Sequence, residues 1–170
     1  LHNQDQIALL DLHEGDEVFV EKGGEIIPKV VGIKLDARAE GAVPVEFISH
    51  CPECQTELVR KEGEAQHYCP NASGCTPQIS GRIQHFISRK AMDIMGMGSE
   101  TVQLFVEKGL IHSIADLYDL TYDQIIALEG FKEKSVTNLL EGLEASKQIS
   151  FERVLFGLGI RHVGATVAKK

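Results

Sequence analysis

All four cysteines of this 170-residue chain lie within 25 residues, at Cys51, Cys54, Cys69 and Cys75. The segment around them, residues 49–80, also holds Pro52, Pro70, Asn71, Gly74 and Pro77 and has almost no apolar periodicity. It cannot bury much core, so something other than hydrophobic packing must hold it. A C-x2-C knuckle offers two thiolates from one tight turn, and a loop with Pro70, Asn71 and Gly74 can bend to deliver two more. The spacing therefore predicts one tetrahedral zinc ion per chain. A closed four-thiolate shell leaves no position for substrate, so the metal is expected to be structural. Two disulfides are the alternative, favoured only in an oxidising compartment, and no export signal is seen. His50 and His67 lie close in sequence, but four sulfurs already complete the shell.

The chain on either side reads differently. Hydrophobic residues at 43% and charged residues at 25% suit a globular protein and exclude a disordered one. No apolar stretch approaches the roughly eighteen residues of a transmembrane helix. The chain opens at Leu1 and ends at Lys170 within a helical pattern, which suggests a piece of a longer protein. Residues 1–48 read as β: Glu17-Val18-Phe19-Val20 alternates, Gly23-Gly24 supplies a turn, and Ile26-Ile27 and Val30-Val31-Gly32-Ile33 are of strand length. Three or four strands are expected, with Pro28 at an edge or bulge. So short a segment is a small meander or part of a truncated barrel.

From Ile79 onward the pattern is helical. Ile79, Ile83, Phe86 and Ile87 recur at helix spacing, as do Val102, Phe105 and Val106, and Val136, Leu139, Leu140 and Leu143. Thr121 and Gln124 have capping-box spacing, and Gly109 marks a helix end. This half also repeats: residues 94–98 can be laid over 128–132 and 160–164, each unit following one helical pattern and opening another. The signatures of ankyrin and tetratricopeptide arrays are absent, so short helical hairpins are the better reading.

The net charge of −8 argues at first against a nucleic-acid partner. Its distribution softens that objection. Ten acids against four Lys/Arg fall in residues 1–49 and four against two in 50–75, whereas residues 76–170 balance at eleven each. The hairpins resemble helix-hairpin-helix DNA-binding motifs, which hold phosphate with main-chain N–H groups at a helix start and so need little basic charge. Only the first unit keeps both glycines, Gly96 and Gly98. The second has Lys132 at the second glycine position, and the third has His162 at the first. Lys132, Lys134 and Arg161 are placed to add counter-charge.

The whole chain resembles the C-terminal half of a bacterial NAD-dependent DNA ligase. The resemblance is carried by Leu1-His2-Asn3, Gly15-Asp16-Glu17-Val18 and Gly24-Glu25-Ile26-Ile27-Pro28-Lys29-Val30, and by the Cys51/Cys54/Cys69/Cys75 spacing. In the helical half it is carried by residues 85–92, 130–135 and 158–164. It implies a multidomain α+β chain: a partial OB-fold (1–48), a four-cysteine zinc finger (49–76) and an all-α helix-hairpin-helix domain (77–170) truncated at its C-terminus. Glu25 stands where the family more often has Asp and keeps the charge. The resemblance also implies a parent enzyme that seals 5′-phosphate/3′-hydroxyl nicks in duplex DNA through a lysine adenylated within Lys-x-Asp-Gly. Lys34-Leu35-Asp36-Ala37 comes near that motif but lacks its glycine, so this chain is expected to hold no catalytic residue and to bind neither NAD nor Mg2+ itself. The expected DNA contacts are Gly96, Met97, Gly98, Gly130, Phe131, Lys132, Lys134, Ile160, Arg161 and Gly164, with Lys29 a weaker candidate. Nicked duplex and the remaining domains of the same polypeptide are the expected partners, with no membrane, in the bacterial cytoplasm near the nucleoid. The rivals are a zinc-finger and hairpin portion of another repair protein, and a rubredoxin-like metal or redox enzyme. The latter needs two C-x2-C knuckles, and here the second pair is C-x5-C.

Overall fold

A computed structural model describes residues 3–23 and 27–170, which form two compact units, Leu1–Pro70 and Asn71–Lys170. The first unit begins with a helix where β structure was expected. In α1 (Gln4–Leu9) the Asn3 side chain accepts from the Asp5 N–H at 2.9 Å, capping the first turn. Six residues with one buried side chain, Ile7, carry no periodicity to betray a helix. Among the described residues of this segment two strands follow, where three or four were expected: β1 (Val18–Gly23) and β2 (Ile27–Ile33), antiparallel, with Val18 opposite Ile33 and a register shift between Phe19 and Val20. Pro28 faces Lys22 in this two-stranded ribbon, where its missing N–H is tolerated because each strand is an edge. The expected turn at Gly24 and the apolar position Ile26 lie outside the described residues. Phe19, Val20 and Ile27 are exposed on the ribbon.

The base of the ribbon is tied by an ion-pair node. Arg38 Nε and a terminal nitrogen donate to the two carboxylate oxygens of Asp16 at 2.8 and 3.0 Å, and the guanidinium also reaches the Asp11 carboxylate at 3.0 Å. Asp16 further accepts from the His13 N–H at 2.8 Å, and its side chain is only 2% exposed. A buried carboxylate is tolerated because every oxygen has a charged or main-chain donor. The Arg38 bonds, with the His13 N–H second to them, hold its pKa below the ordinary aspartate value. The rest of the unit is a pair of two-residue strands, β3 (Val59–Arg60) and β4 (His67–Tyr68), joined by a turn with Gly63 at φ +78°.

The second unit is helical: α2 (Thr76–Ile87), α3 (Ser99–Glu107), α4 (Tyr122–Ile126), α5 (Glu133–Ser146), α6 (Phe151–Gly157) and α7 (Ala165–Ala168). Helices α2 and α3, α4 and α5, and α6 and α7 pack as consecutive pairs, and α2 also meets α6. Val102, Phe105, Ile111, Leu117, Ile125, Val136 and Leu139 are completely buried, so the periodic positions read from the sequence do build the core. Val106 and Leu140 lie only partly buried at its margin. Helix α3 stops in a Schellman arrangement, with Leu110 N–H on the Phe105 carbonyl, Gly109 N–H on that of Val106, and Gly109 at φ +68°. At the start of α4, Gln124 Oε1 accepts from the Thr121 N–H at 2.9 Å, one arm of the expected capping box. Among the described residues no helix is long and apolar enough to cross a membrane.

Candidate zinc site and nucleic-acid interface

The Cys51–Cys54 turn is a tight knuckle. Gln55 N–H donates to the Cys51 carbonyl at 2.9 Å, Cys51 N–H donates to the Thr56 carbonyl at 2.8 Å, and Gln55 takes a left-handed conformation at φ +56° to close it. At the other end, the Asn71 side chain accepts from the Gly74 N–H at 3.0 Å and the Asn71 carbonyl from the Cys75 N–H at 3.1 Å. A Cβ on Gly74 would stand 2.7 Å from Asn71 Oδ1, so a side chain there would displace the Asn71 amide from the Gly74 N–H. Cys75 caps the start of α2, with Pro77 in the first turn where a missing N–H costs nothing.

The four thiols, all free of disulfides, converge until every Sγ lies within 4.8 Å of the others, with Cys54 and Cys69 at 3.5 Å. A tetrahedron with Zn–S bonds of about 2.3 Å has edges of about 3.8 Å, whereas bonded sulfurs sit at about 2.05 Å. The donor set thus fits a closed structural zinc ion and not a pair of disulfides. Metal binding needs thiolates. The Thr56 hydroxyl, 3.2 Å from Cys54 Sγ, and the Thr56 N–H lower the Cys54 thiol to about 6, with lesser help from Cys69 and Cys51. Neither histidine near the finger joins the sulfur cluster. His50 pairs with the Ser49 hydroxyl at 2.9 Å, and His67 packs at a tilt against Phe47 with centroids 4.7 Å apart.

The repeat seen in the sequence is a repeat of backbone. The third residue of each unit is left-handed: Gly96 at φ +81°, Gly130 at φ +88° and His162 at φ +70°. The fifth is the extended N-cap of the next helix: Gly98 for α3, Lys132 for α5 and Gly164 for α7. A Cβ on Gly98, Gly130 or Gly164 would meet nothing within 4 Å, so these three stand in open space. Gly96 is different, because a Cβ there would lie 3.1 Å from the Leu139 main chain in α5. Met97 is 7% exposed and belongs to the core. Phe131 is half-buried against Phe105, with centroids 5.7 Å apart. Lys132, Lys134, Ile160 and Arg161 are exposed, and so is Lys29, opposite Glu21 in the ribbon. Lys34 pairs with Glu17 at 3.2 Å, and Leu35–Ala37 is a short 3-10 turn.

Three residues escaped the sequence reading. Arg38 gave no pattern of its own, since its partners lie 22 and 27 positions away. Ser135, three residues after the N-cap Lys132, accepts from the Lys132 N–H at 2.9 Å; capping-box spacing was the available signal. Gly142, inside the regular pattern of α5, was visible only as a glycine in a helix interior.

Fold and site together define a class: a chain with a short β segment, then a C4 zinc-binding finger, then helices paired as hairpins. Comparison with known proteins gives the particular family. Residues 1–42 match the NAD-dependent DNA ligase OB-fold domain and residues 50–76 match the NAD-dependent DNA ligase C4 zinc finger domain. All 170 residues align with proteins named DNA ligase from Christiangramia forsetii (62% identical, 26% of that protein), Flavobacterium psychrophilum (61%, 26%) and Phocaeicola vulgatus (60%, 26%). The chain carries the OB-fold end and the C4 zinc finger of the bacterial NAD-dependent DNA ligases and spans about a quarter of the length of the curated relatives it matches.

Proposed function

We propose that this chain is the non-catalytic, DNA-gripping part of an NAD-dependent DNA ligase that seals nicks in duplex DNA. The observation that carries this reading is the threefold backbone repeat, which leaves Gly98, Gly130 and Gly164 in open space at the hairpins. Main-chain N–H groups at the starts of α3, α5 and α7 donate to phosphate oxygens across the minor groove. Gly96, Met97, Gly130, Phe131 and Ile160 shape those hairpins, and Lys132, Lys134 and Arg161 add counter-charge. Lys29 reaches the backbone near the nick. Cys51, Cys54, Cys69 and Cys75 hold one zinc ion that folds the finger. Adenylation by NAD, with its Mg2+, belongs to the remaining domains of the polypeptide, in the bacterial cytoplasm at the nucleoid.

The main rival is a zinc-finger and hairpin portion of another repair protein, and the OB-fold match over residues 1–42 weighs against it. Fluorescence anisotropy of the zinc-loaded chain on nicked duplex, across a salt series, tests the reading. Binding is expected to weaken with salt, and Gly98→Asp, which sets a carboxylate where a phosphate docks, is expected to lower affinity at least tenfold while the chain stays folded. Binding that ignores both salt and Gly98→Asp defeats the proposal.

A further inference from the structure

Helix α5 keeps a glycine in its interior, a choice that costs about 1 kcal/mol relative to alanine. The first hairpin supplies the reason. A Cβ on Gly142 would stand 2.5 Å from the Met95 carbonyl oxygen and 3.1 Å from the Met95 nitrogen. The approach is mutual, because a Cβ on Gly96 would lie 3.1 Å from both the Cα and the nitrogen of Leu139. Two main chains therefore touch at two glycines, while Ile94 and Met97 on either side are sunk in the core at 5% and 7% exposure. Met95 itself points outward, 68% exposed, so its main chain and not its side chain makes the contact.

We propose that the paired contacts of Gly96 on the Leu139 main chain and of Gly142 on the Met95 main chain are a positioning device that fixes the spacing between the first and second hairpins. Gly98, two residues beyond Gly96, begins α3, and Lys132, at the head of the helix that carries Gly142, begins α5. A contact between side chains, such as Phe131 on Phe105, can slip by a rotamer change. A backbone-on-backbone contact has no rotamer to change, so two phosphate-gripping helix starts are held in one register. Gly96 and Gly142 are positioning residues that touch no DNA themselves. This inference rests on the hairpins gripping DNA.

The test compares the full zinc-loaded chain with its Gly142→Ala and Gly142→Val forms, the alanine serving if valine prevents folding. Thermal unfolding reports the fold, amide spectra of residues 94–98 and 138–142 report the packing of the two glycines, and anisotropy on nicked duplex across a salt series reports the grip. Both variants are expected to stay cooperatively folded with shifted amides in these two segments. Affinity is expected to fall about tenfold for valine and less for alanine, and the salt slope to flatten by about 0.9 for each phosphate that the hairpins release. Lys132→Ala is expected to cost less binding in the Gly142→Val background than in the wild type, a coupling that reduced stability alone does not produce. A folded variant with displaced amides but wild-type affinity and salt slope overturns the positioning role and leaves DNA binding intact. A wild-type chain that fails to bind duplex even at low salt overturns the DNA-binding reading, and the positioning role with it.

Discussion

His85 of α2 donates from Nε2 to the main-chain carbonyl of Phe156 in α6 at 2.8 Å, and its ring meets the Phe156 ring edge-on with centroids 4.8 Å apart. One side chain thus joins the first helical pair to the third, beside the close approach of Gly157 to Phe86 and Ala91. Because a carbonyl only accepts, the tautomer with its proton on Nε2 is the one that serves when the ring is neutral. His85→Ala is expected to destabilise the helical unit by about 1–2 kcal/mol by removing both the hydrogen bond and the edge-on ring contact. His85→Gln, which keeps a donor, is expected to recover part of that stability in denaturant unfolding.

Zinc is expected at one ion per chain. Cys54→Ser replaces a soft thiolate with a hydroxyl that does not ionise near neutral pH, so the variant is expected to lose most of its metal by atomic absorption. Chelation of the wild type should unfold the finger, because residues 49–76 contribute only Cys51 and Cys75 to the buried apolar set. A finger with unchanged proteolytic resistance after complete metal removal counts against a structural zinc.

The Arg38–Asp16 node sets a pH dependence. Asp16 has a folded pKa below its ordinary value of 3.8, so its contribution to stability is complete above that value and is lost as pH falls through the lower one. Asp16→Asn is expected to be less stable than wild type at pH 7 and pH 5 alike. The two proteins should converge only in strong acid. A difference that instead vanishes between pH 7 and pH 5 assigns the effect to some other group.

His162 holds the left-handed conformation that Gly96 and Gly130 hold without a side chain. That conformation costs a residue with a Cβ about 1–2 kcal/mol. His162→Gly removes the strain but loosens the unfolded chain, so a net gain of up to about 1 kcal/mol is expected. The opposite change at Gly130, to alanine, meets no neighbouring atom and should cost about 1 kcal/mol from backbone strain alone. Thermal melts of both variants measure this.

The cysteine spacing, the helical core positions and the hairpin repeat were legible because each is a local pattern. A metal knuckle, a period of 3.6 and a left-handed residue before an N-cap are all properties of a few consecutive residues. Even the unit with His162 falls into register with the other two, since the backbone repeat survives the loss of its glycine. The helix α1 was hidden by its brevity, and the number of strands was overestimated because short apolar runs do not announce whether they will find a partner. The ion pair from Arg38 to Asp16, the bond from His85 to Phe156 and the approach of Gly142 to Met95 join residues 22, 71 and 47 positions apart. No local pattern encodes such pairings, because they exist only once packing has brought distant segments together. The sequence by itself therefore determined which residues make the finger and the hairpins. The tertiary structure decided which glycines face open space and which lie against another main chain.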